Sequence, residues 1–193
     1  MLSTRRHFIG AAVTLAIGAW ATTNVAYGAE PVSIRLKWLP QTQFAGVYVA
    51  KALGYYDEVG LDMTINPGGP NINAESLVGS GTDTFGVAGS IENIMYSRES
   101  GVPLVAIGMT MQRTSFVFVS HGDSGIKTLE DFKGKKVSTW FNGSQYTLNA
   151  MLANKGIDPA SLQIVNQPFS LQPFVDRQLD VVTVTIYNEL TSL

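Results

Sequence analysis

Cysteine is absent from the 193-residue sequence. Its absence excludes disulfides, thiolate nucleophiles, iron–sulfur clusters and cysteine-based zinc sites. Histidine occurs only at His7 and His121, so a Ser-His-Asp triad would have to use His121. The segment His121-Gly122-Asp123 has the composition of a turn instead. These gaps favour a protein that carries no catalytic residues, metal or cofactor.

An excess of charge of either sign is also missing. The formal net charge is −2 at pH 7, which leaves no basic surface for a nucleic acid. Hydrophobic residues make up 45% of the chain and charged residues 15%, a composition typical of a folded globular protein. The length is sufficient for one large domain or two small lobes with a buried core.

The amino-terminal residues predict export. Arg5 and Arg6 precede an apolar run, residues 8–21, that is too short and too rich in Ala and Gly to span a membrane. Small residues up to Gly28 suit cleavage by a signal peptidase. We interpret residues 1–28 as a signal peptide of the twin-arginine type, which predicts a periplasmic protein. A general secretory signal and an uncleaved anchor are the alternatives.

Predicted strands and helices alternate along the rest of the chain. The predicted strands are 32–38, 61–65, 84–88, 104–109, 115–120, 135–139, 162–166 and 181–186, and the predicted helices are 44–53, 72–78, 91–99, 128–132, 144–155 and 171–177. This alternation predicts an α/β fold with a largely parallel sheet. In such folds ligands bind at the carboxyl ends of the strands. We place a first lobe at 29–120 and part of a second lobe at 121–193, with the polar segment 121–125 as a candidate hinge.

Several stretches of the sequence together resemble one family. The longest reads LKWLPQTQFAGVYVAK at residues 36–51, and the others are 54–56, 60–62, 79–83, 85–87, 101–105, 124–126, 129–137 and 187–189. They resemble the solute-binding proteins of ABC importers that are related to the alkanesulfonate, taurine and thiamine-pyrimidine binders. The resemblance covers essentially all of the chain after residue 28.

This resemblance implies a type 2 periplasmic-binding-protein fold. It implies two α/β lobes joined by a hinge, a ligand held in the cleft between them, and closure of the lobes on binding. It also implies an ABC permease and an ATPase as partners of a monomeric protein, although a sensing role would use the same cleft. Members of the family continue beyond the point that matches Leu193, so we expect an incomplete second lobe and an incomplete return to the first.

In the first lobe, three loops contain candidate ligand-binding residues. They are Trp38, Gln41 and Phe44 after the first strand, Gly69 after the second, and Gly89 and Ser90 after the third. The aromatic rings can stack on a planar ligand, and the N–H groups at a helix start suit a polar edge or an anion. Each has a structural alternative: Trp38 and Phe44 as core residues, Gly69 as part of a turn, and Ser90 as a helix cap.

In the second lobe, the same strand-to-helix pattern recurs. The candidates are Trp140, Asn142 and Ser144 after one strand, and Tyr187 and Glu189 after the last. Trp140 is placed to stack on the ligand from the side opposite Trp38 or Phe44. Glu189 can accept two hydrogen bonds from an aminopyrimidine, or it is a solvated acidic residue.

Two aromatic walls favour a small planar heteroaromatic ligand, such as a thiamine pyrimidine precursor. The alternative is an anion of the alkanesulfonate, taurine or nitrate type. Such an anion would more naturally be bound by an arginine, and none occurs in these loops.

An enzyme of the same superfamily is a further alternative. The resemblance extends to a eukaryotic synthase of the thiamine pyrimidine, which requires a Schiff-base lysine, a histidine and a cysteine-rich iron motif. Here Ala88 stands at the lysine position and Glu92 at the histidine position, and the chain has no cysteine. A methyl group cannot replace an amine nucleophile, so the sequence predicts a binding protein and no enzyme.

Overall fold

The computed structural model describes residues 28–141 and 143–193. The predicted signal peptide lies outside these residues apart from Gly28. The strands are β1 (Glu30–Arg35), β2 (Leu61–Asn66), β3 (Phe85–Gly86), β4 (Phe116–Ser120), β5 (Lys136–Thr139), β6 (Gln163–Asn166) and β7 (Val181–Thr185). The α-helices are α1 (Ala45–Ala52), α2 (Tyr55–Glu58), α3 (Ala74–Gly79), α4 (Ile91–Glu99), α5 (Ser144–Asn154) and α6 (Gln172–Val175). Within the described ranges, none of these helices has the length and apolar character needed to cross a bilayer.

The predicted α/β class is confirmed, and the strands form two separate sheets. The first has the order β2-β1-β3 and is entirely parallel. The second has the order β4-β7-β5-β6, in which β4 alone is antiparallel to its neighbour. Because parallel strands need a crossover, each βα unit places its helix beside the sheet and the end of each strand at one edge.

The second sheet contains the main core. All five residues of β7 are buried, as expected for a central strand covered on both faces. On one face Val137 and Val181 pack with Leu148 and Leu152 of α5. A second cluster, formed by Phe174, Leu179, Val182 and Val184, also includes residues of β7. The alternation of side chains along β7 thus contributes to two clusters.

The predicted strand at 104–109 is absent from the structure. The segment contains apolar residues, but Val105 and Ile107 are each 79% exposed and only Leu104 is buried. A strand needs hydrogen bonds from a neighbouring strand, and none of the described residues supplies one beside this segment. Residue type alone therefore predicted a strand where a partner is missing.

The predicted hinge at 121–125 packs against α6 and the residues that directly follow it. The His121 ring stacks on Phe174 at 4.1 Å between centroids, and Asp123 forms an ion pair with Arg177 at 2.8 Å. β4, which the sequence assigned to the first lobe, pairs with β7 of the second sheet. The chain therefore passes between the sheets before residue 116. The division into lobes at residue 120 stays a prediction.

A buried carboxylate ties the three strands of the first sheet together. Asp83, which is 2% exposed, accepts hydrogen bonds from Ser33 Oγ, Arg35 Nε and Asn66 Nδ2 at 3.0, 2.7 and 2.6 Å. Burial, the largest single influence, opposes ionisation of Asp83. The hydrogen bonds from Arg35, Asn66 and Ser33, together with the charge of Arg35, outweigh it and lower the pKa of Asp83.

We expect Asp83→Asn to lower the free energy of unfolding by about 2–3 kcal/mol, because it removes the charge that Arg35 faces in a mostly buried site. Urea unfolding measures the difference. Since the folded-state pKa of Asp83 is depressed, its stabilisation is present above the unfolded pKa of about 3.9 and is lost as the pH falls through the folded value. Wild type and variant should therefore converge in acid.

Asp123→Asn is the matched control for this prediction. Its ion pair with Arg177 is exposed, with side-chain accessibilities of 66% and 61%, and screening by solvent leaves such pairs with little effect on stability. Equal losses in the two variants at neutral pH would show that the Asp83 network has no special role.

Candidate functional site

A cavity lies where the two sheets meet. Its lining comes from the loops that follow β1, β3, β5 and β7, and from the first residue of the antiparallel β4, which reaches the same edge. The lining residues are Lys37, Trp38, Gln41, Gln43, Gly89, Phe116, Trp140, Gly143, Thr185, Tyr187 and Glu189. The cavity volume is about 50 Å³, within about 440 Å³ of empty space that includes open solvent.

Aromatic side chains join the two halves across this cavity. The Trp38 and Trp140 rings meet edge to face at 5.6 Å between centroids, with planes at 66°. Trp38 also stacks on Phe169 at 6.1 Å and 16°, and Trp140 contacts Phe116 at 6.1 Å. These distances are typical of favourable aromatic pairs. Trp38, which follows β1 of the first sheet, is thus held by rings of the second half.

Four of the polar side chains at the cavity form two hydrogen-bonded pairs. Tyr187 donates its hydroxyl hydrogen to Gln43 Oε1 at 2.8 Å, which links the second half to the first. Glu189 Oε2 accepts hydrogen bonds from the main-chain N–H and the hydroxyl of Thr185. Burial is the largest cause of the raised pKa of Tyr187, the hydrogen bond with Ser115 opposes it, and the charge of Glu189 adds to it.

Two donor groups at the cavity have no acceptor among the residues that the structure describes. The indole N–H of Trp140 is buried and makes no hydrogen bond, although the residue is only 6% exposed. Lys37 Nζ makes no hydrogen bond and no ion pair within 4 Å with the described residues. Burial lowers the pKa of Lys37 from its usual value, and the negative charge of Glu75 offsets part of that effect.

Six of the eleven predicted site residues line the cavity. They are Trp38, Gln41, Gly89, Trp140, Tyr187 and Glu189. Phe44, Gly69, Ser90 and Ser144 are placed elsewhere, and Asn142 lies outside the described residues. Whether any of them binds a ligand stays a prediction.

The four residues away from the cavity have structural contacts. Phe44, 4% exposed, is a core residue. Ser90 caps α4 by accepting a hydrogen bond from the N–H of Asn93, and Ser144 Oγ accepts one from the N–H of Trp140 at 3.1 Å. Gly69 is buried in the loop after β2. The structural alternatives considered for Phe44 and Ser90 therefore describe what the structure shows.

Sequence reasoning missed Lys37, Gln43, Phe116 and Thr185. The predicted strand 32–38 includes Lys37, but β1 ends at Arg35, so the alternation of side chains in a strand does not decide where Lys37 points. The sequence predicts Phe116 as a strand residue of the first lobe. Its position at the cavity depends on the antiparallel pairing of β4 with β7, which the sequence did not reveal.

No three His, Asp or Glu side chains come together as a metal-binding group in the part of the chain that the structure describes. Ala88 lies two residues after the end of β3, and Glu92 lies in the first turn of α4. Neither side chain lines the cavity. The two positions at which the resemblance to the synthase implies a lysine and a histidine thus carry side chains that do not line this cavity.

The fold is that of the periplasmic solute-binding proteins of type 2. The periplasmic aliphatic sulphonate binding protein SsuA from Escherichia coli superimposes with a TM-score of 0.63 at 18% identity, over 84% of this chain and 53% of that protein. At this identity the likeness establishes the fold alone. The predicted fold class is confirmed.

The chain belongs to the NMT1/THI5-like family, whose model matches residues 41–193. A thiamine biosynthesis protein of Haemophilus influenzae is 28% identical over 89% of this chain and 55% of its own length. The 4-amino-5-hydroxymethyl-2-methylpyrimidine phosphate synthase of Legionella pneumophila is 27% identical over 69% of this chain and 42% of its own length. The chain therefore spans about half the length of the curated relatives it matches.

Gly68 holds the loop after β2 against the base of the cavity. A Cβ at this position would lie 2.1 Å from the Leu36 carbonyl oxygen and 2.6 Å from the Trp38 nitrogen. Its own N–H donates to the Trp38 carbonyl oxygen at 3.0 Å. The absence of a side chain at Gly68 therefore allows the loop to pack against the main chain at Trp38.

We expect Gly68→Ala to lower the free energy of unfolding by about 1–3 kcal/mol, since the methyl group collides with main-chain atoms that cannot easily move. It should also displace Trp38, which changes the tryptophan emission spectrum of the folded protein. Chemical denaturation followed by fluorescence records both effects.

Gly46→Ala is the matched control. Gly46 lies in α1 and a Cβ there would meet nothing within 4 Å, so alanine should raise stability by about 0.5–1 kcal/mol through helix propensity. A Gly68→Ala variant as stable as wild type, with unchanged emission, would contradict the packing role.

Proposed function

We propose that this chain is part of a solute-binding protein that grips a small planar heteroaromatic molecule between two α/β lobes. The proposal rests on one observation. Trp38, Trp140 and Phe116 line the same cavity, which lies where the parallel strands of the two sheets have their carboxyl ends. Ligand pockets in α/β folds lie at this edge. Flat rings of this kind offer a large contact area to a flat ligand at little cost in side-chain entropy.

Ligand entry requires the two indoles to separate. A ring sandwiched between two others needs ~7 Å between their planes, twice the contact distance of carbon atoms. The centroids of Trp38 and Trp140 are only 5.6 Å apart. We therefore interpret this arrangement as a closed one, in which the aromatic side chains fill the place of the ligand. A ligand that binds one arrangement more tightly shifts the equilibrium by that difference in affinity.

Binding without chemistry accounts best for the residues at the site. The relatives whose names refer to pyrimidine synthesis support a pyrimidine-like ligand. The enzymatic alternative lacks support from the residues themselves, because Ala88 and Glu92 replace the lysine and histidine that the chemistry requires. We include an ABC permease and ATPase as partners, and export through the twin-arginine signal, in the same proposal.

Titration of the tryptophan fluorescence tests the proposal directly. We expect 4-amino-5-hydroxymethyl-2-methylpyrimidine or riboflavin to change the emission saturably, because Trp38 and Trp140 must move to admit the ring. Trp38→Ala should weaken binding roughly tenfold or more by calorimetry, since a stacking partner is lost.

Tyr55→Ala serves as the control, because Tyr55 is a 53% exposed aromatic of α2 outside the cavity. It should bind as wild type does. A response to ethanesulfonate alone would replace the heteroaromatic ligand by a simple anion. Binding that is equally weakened by Tyr55→Ala and Trp38→Ala would contradict a stacking role for the cavity.

A further inference from the structure

The polar groups at the cavity that have no hydrogen-bond partner indicate which chemical groups a ligand should carry. Thr185 and Glu189 bond to each other, and so do Gln43 and Tyr187. After these pairs are set aside, three polar groups at the cavity have no partner among the described residues: the Lys37 ammonium, the Trp140 indole N–H and the Gln41 amide. Two of the three can only donate. The Trp140 N–H is buried, and a buried donor without an acceptor is costly, so a ligand that fills this space should supply an acceptor.

Two main-chain N–H groups of residues that line the cavity are already used. Gly89 N donates to Glu75 Oε1 at 3.0 Å, and Gly143 N donates to the Trp140 carbonyl oxygen at 3.1 Å. Ser90 is engaged in capping α4. The starts of α4 and α5 therefore offer less to a negative group than their positions suggest, and Lys37 is the positive charge that lines the cavity.

The position of Lys37 is fixed by its neighbours. Leu36, fully buried, and Trp38, held by Trp140 and Phe169, anchor the main chain on both sides of it. Glu75 is close enough to influence its charge, but its carboxylate receives the Gly89 N–H and forms no ion pair with Lys37. The ammonium therefore keeps its hydrogen-bonding capacity for another group.

We propose that Lys37 is a specificity-determining residue that pairs with an anionic substituent on the planar ligand, while the Trp140 N–H donates to an acceptor on its ring. The inference rests on the proposed binding function and narrows its ligand class to heteroaromatic rings that carry a phosphate, carboxylate or sulfonate group. Because the ammonium is a point charge, it can serve any of these groups.

Calorimetry with a matched pair of ligands tests this assignment. The probes are 4-amino-5-hydroxymethyl-2-methylpyrimidine and its phosphate ester, with ethanesulfonate as an anion that has no ring. We expect the phosphate ester to bind the wild-type chain at least about tenfold more tightly than the alcohol. Lys37→Gln should weaken binding of the ester roughly 10- to 100-fold, as for loss of a charged hydrogen bond, and leave the alcohol little changed.

Two further variants separate the roles. Lys133→Gln removes the same charge from an exposed position outside the cavity and should leave the preference for the ester intact. Trp140→Phe keeps a ring but removes the N–H, so it should weaken both pyrimidines by a similar factor and preserve the preference. Circular dichroism and thermal unfolding of each variant check that it is folded.

The possible results distinguish this inference from the proposed function. Equal binding of alcohol and ester, unaffected by Lys37→Gln, would overturn the role of Lys37 and leave the heteroaromatic site standing. Binding of ethanesulfonate as tight as the ester, and sensitive to Lys37→Gln, would keep the role of Lys37 and overturn the heteroaromatic ligand. Loss of the preference in Lys133→Gln as well would show a general charge effect, which contradicts a specific pairing.

Discussion

The contact of Trp38 with Trp140 and Phe169 is the interaction on which the site depends. Trp38 follows the central strand of the first sheet, whereas Trp140 and Phe169 follow strands of the second. Neither sheet alone could form a cavity, because each supplies one wall. Parallel βα units place the ends of β1, β5 and β7 at facing edges, and the indole fixes the distance between them.

Each wall is supported from behind by polar groups that do not reach the cavity. In the first half Asp83 joins the strands, and Gly68 lets a loop approach the main chain of Trp38. In the second half the fully buried Gln167 accepts from Ser138 and from the Thr183 N–H at 3.0 and 2.8 Å. β5 and β7 pair over only two residues, so Gln167 provides the link beyond them. Buried polar groups that are satisfied in this way make the walls rigid.

The sequence was sufficient for the α/β class, most strands and the two tryptophans, because these follow from local patterns. It failed where long-range pairing decides the result. The apolar segment 104–109 has no partner strand among the described residues, and the antiparallel pairing of β4 with β7 joins residues that are far apart in the sequence. Lys37 was missed because alternation was extended beyond the end of β1. Periodicity predicts which residues form an element, and the neighbours of that element determine where each side chain points.

Lys37 places an amine at the cavity, and an amine can in principle act as a nucleophile. Lys37 follows β1, whereas the resemblance to the synthase implies a reactive lysine at the position of Ala88, after β3. An amine nucleophile also needs a group to move protons, and the cavity lining contains no histidine. The carboxylate at the cavity, Glu189, is held in place by hydrogen bonds that it accepts from Thr185 and Asn188. With an ammonium and an indole N–H that have no acceptor among the described residues, the arrangement is suited to holding acceptor groups of a ligand.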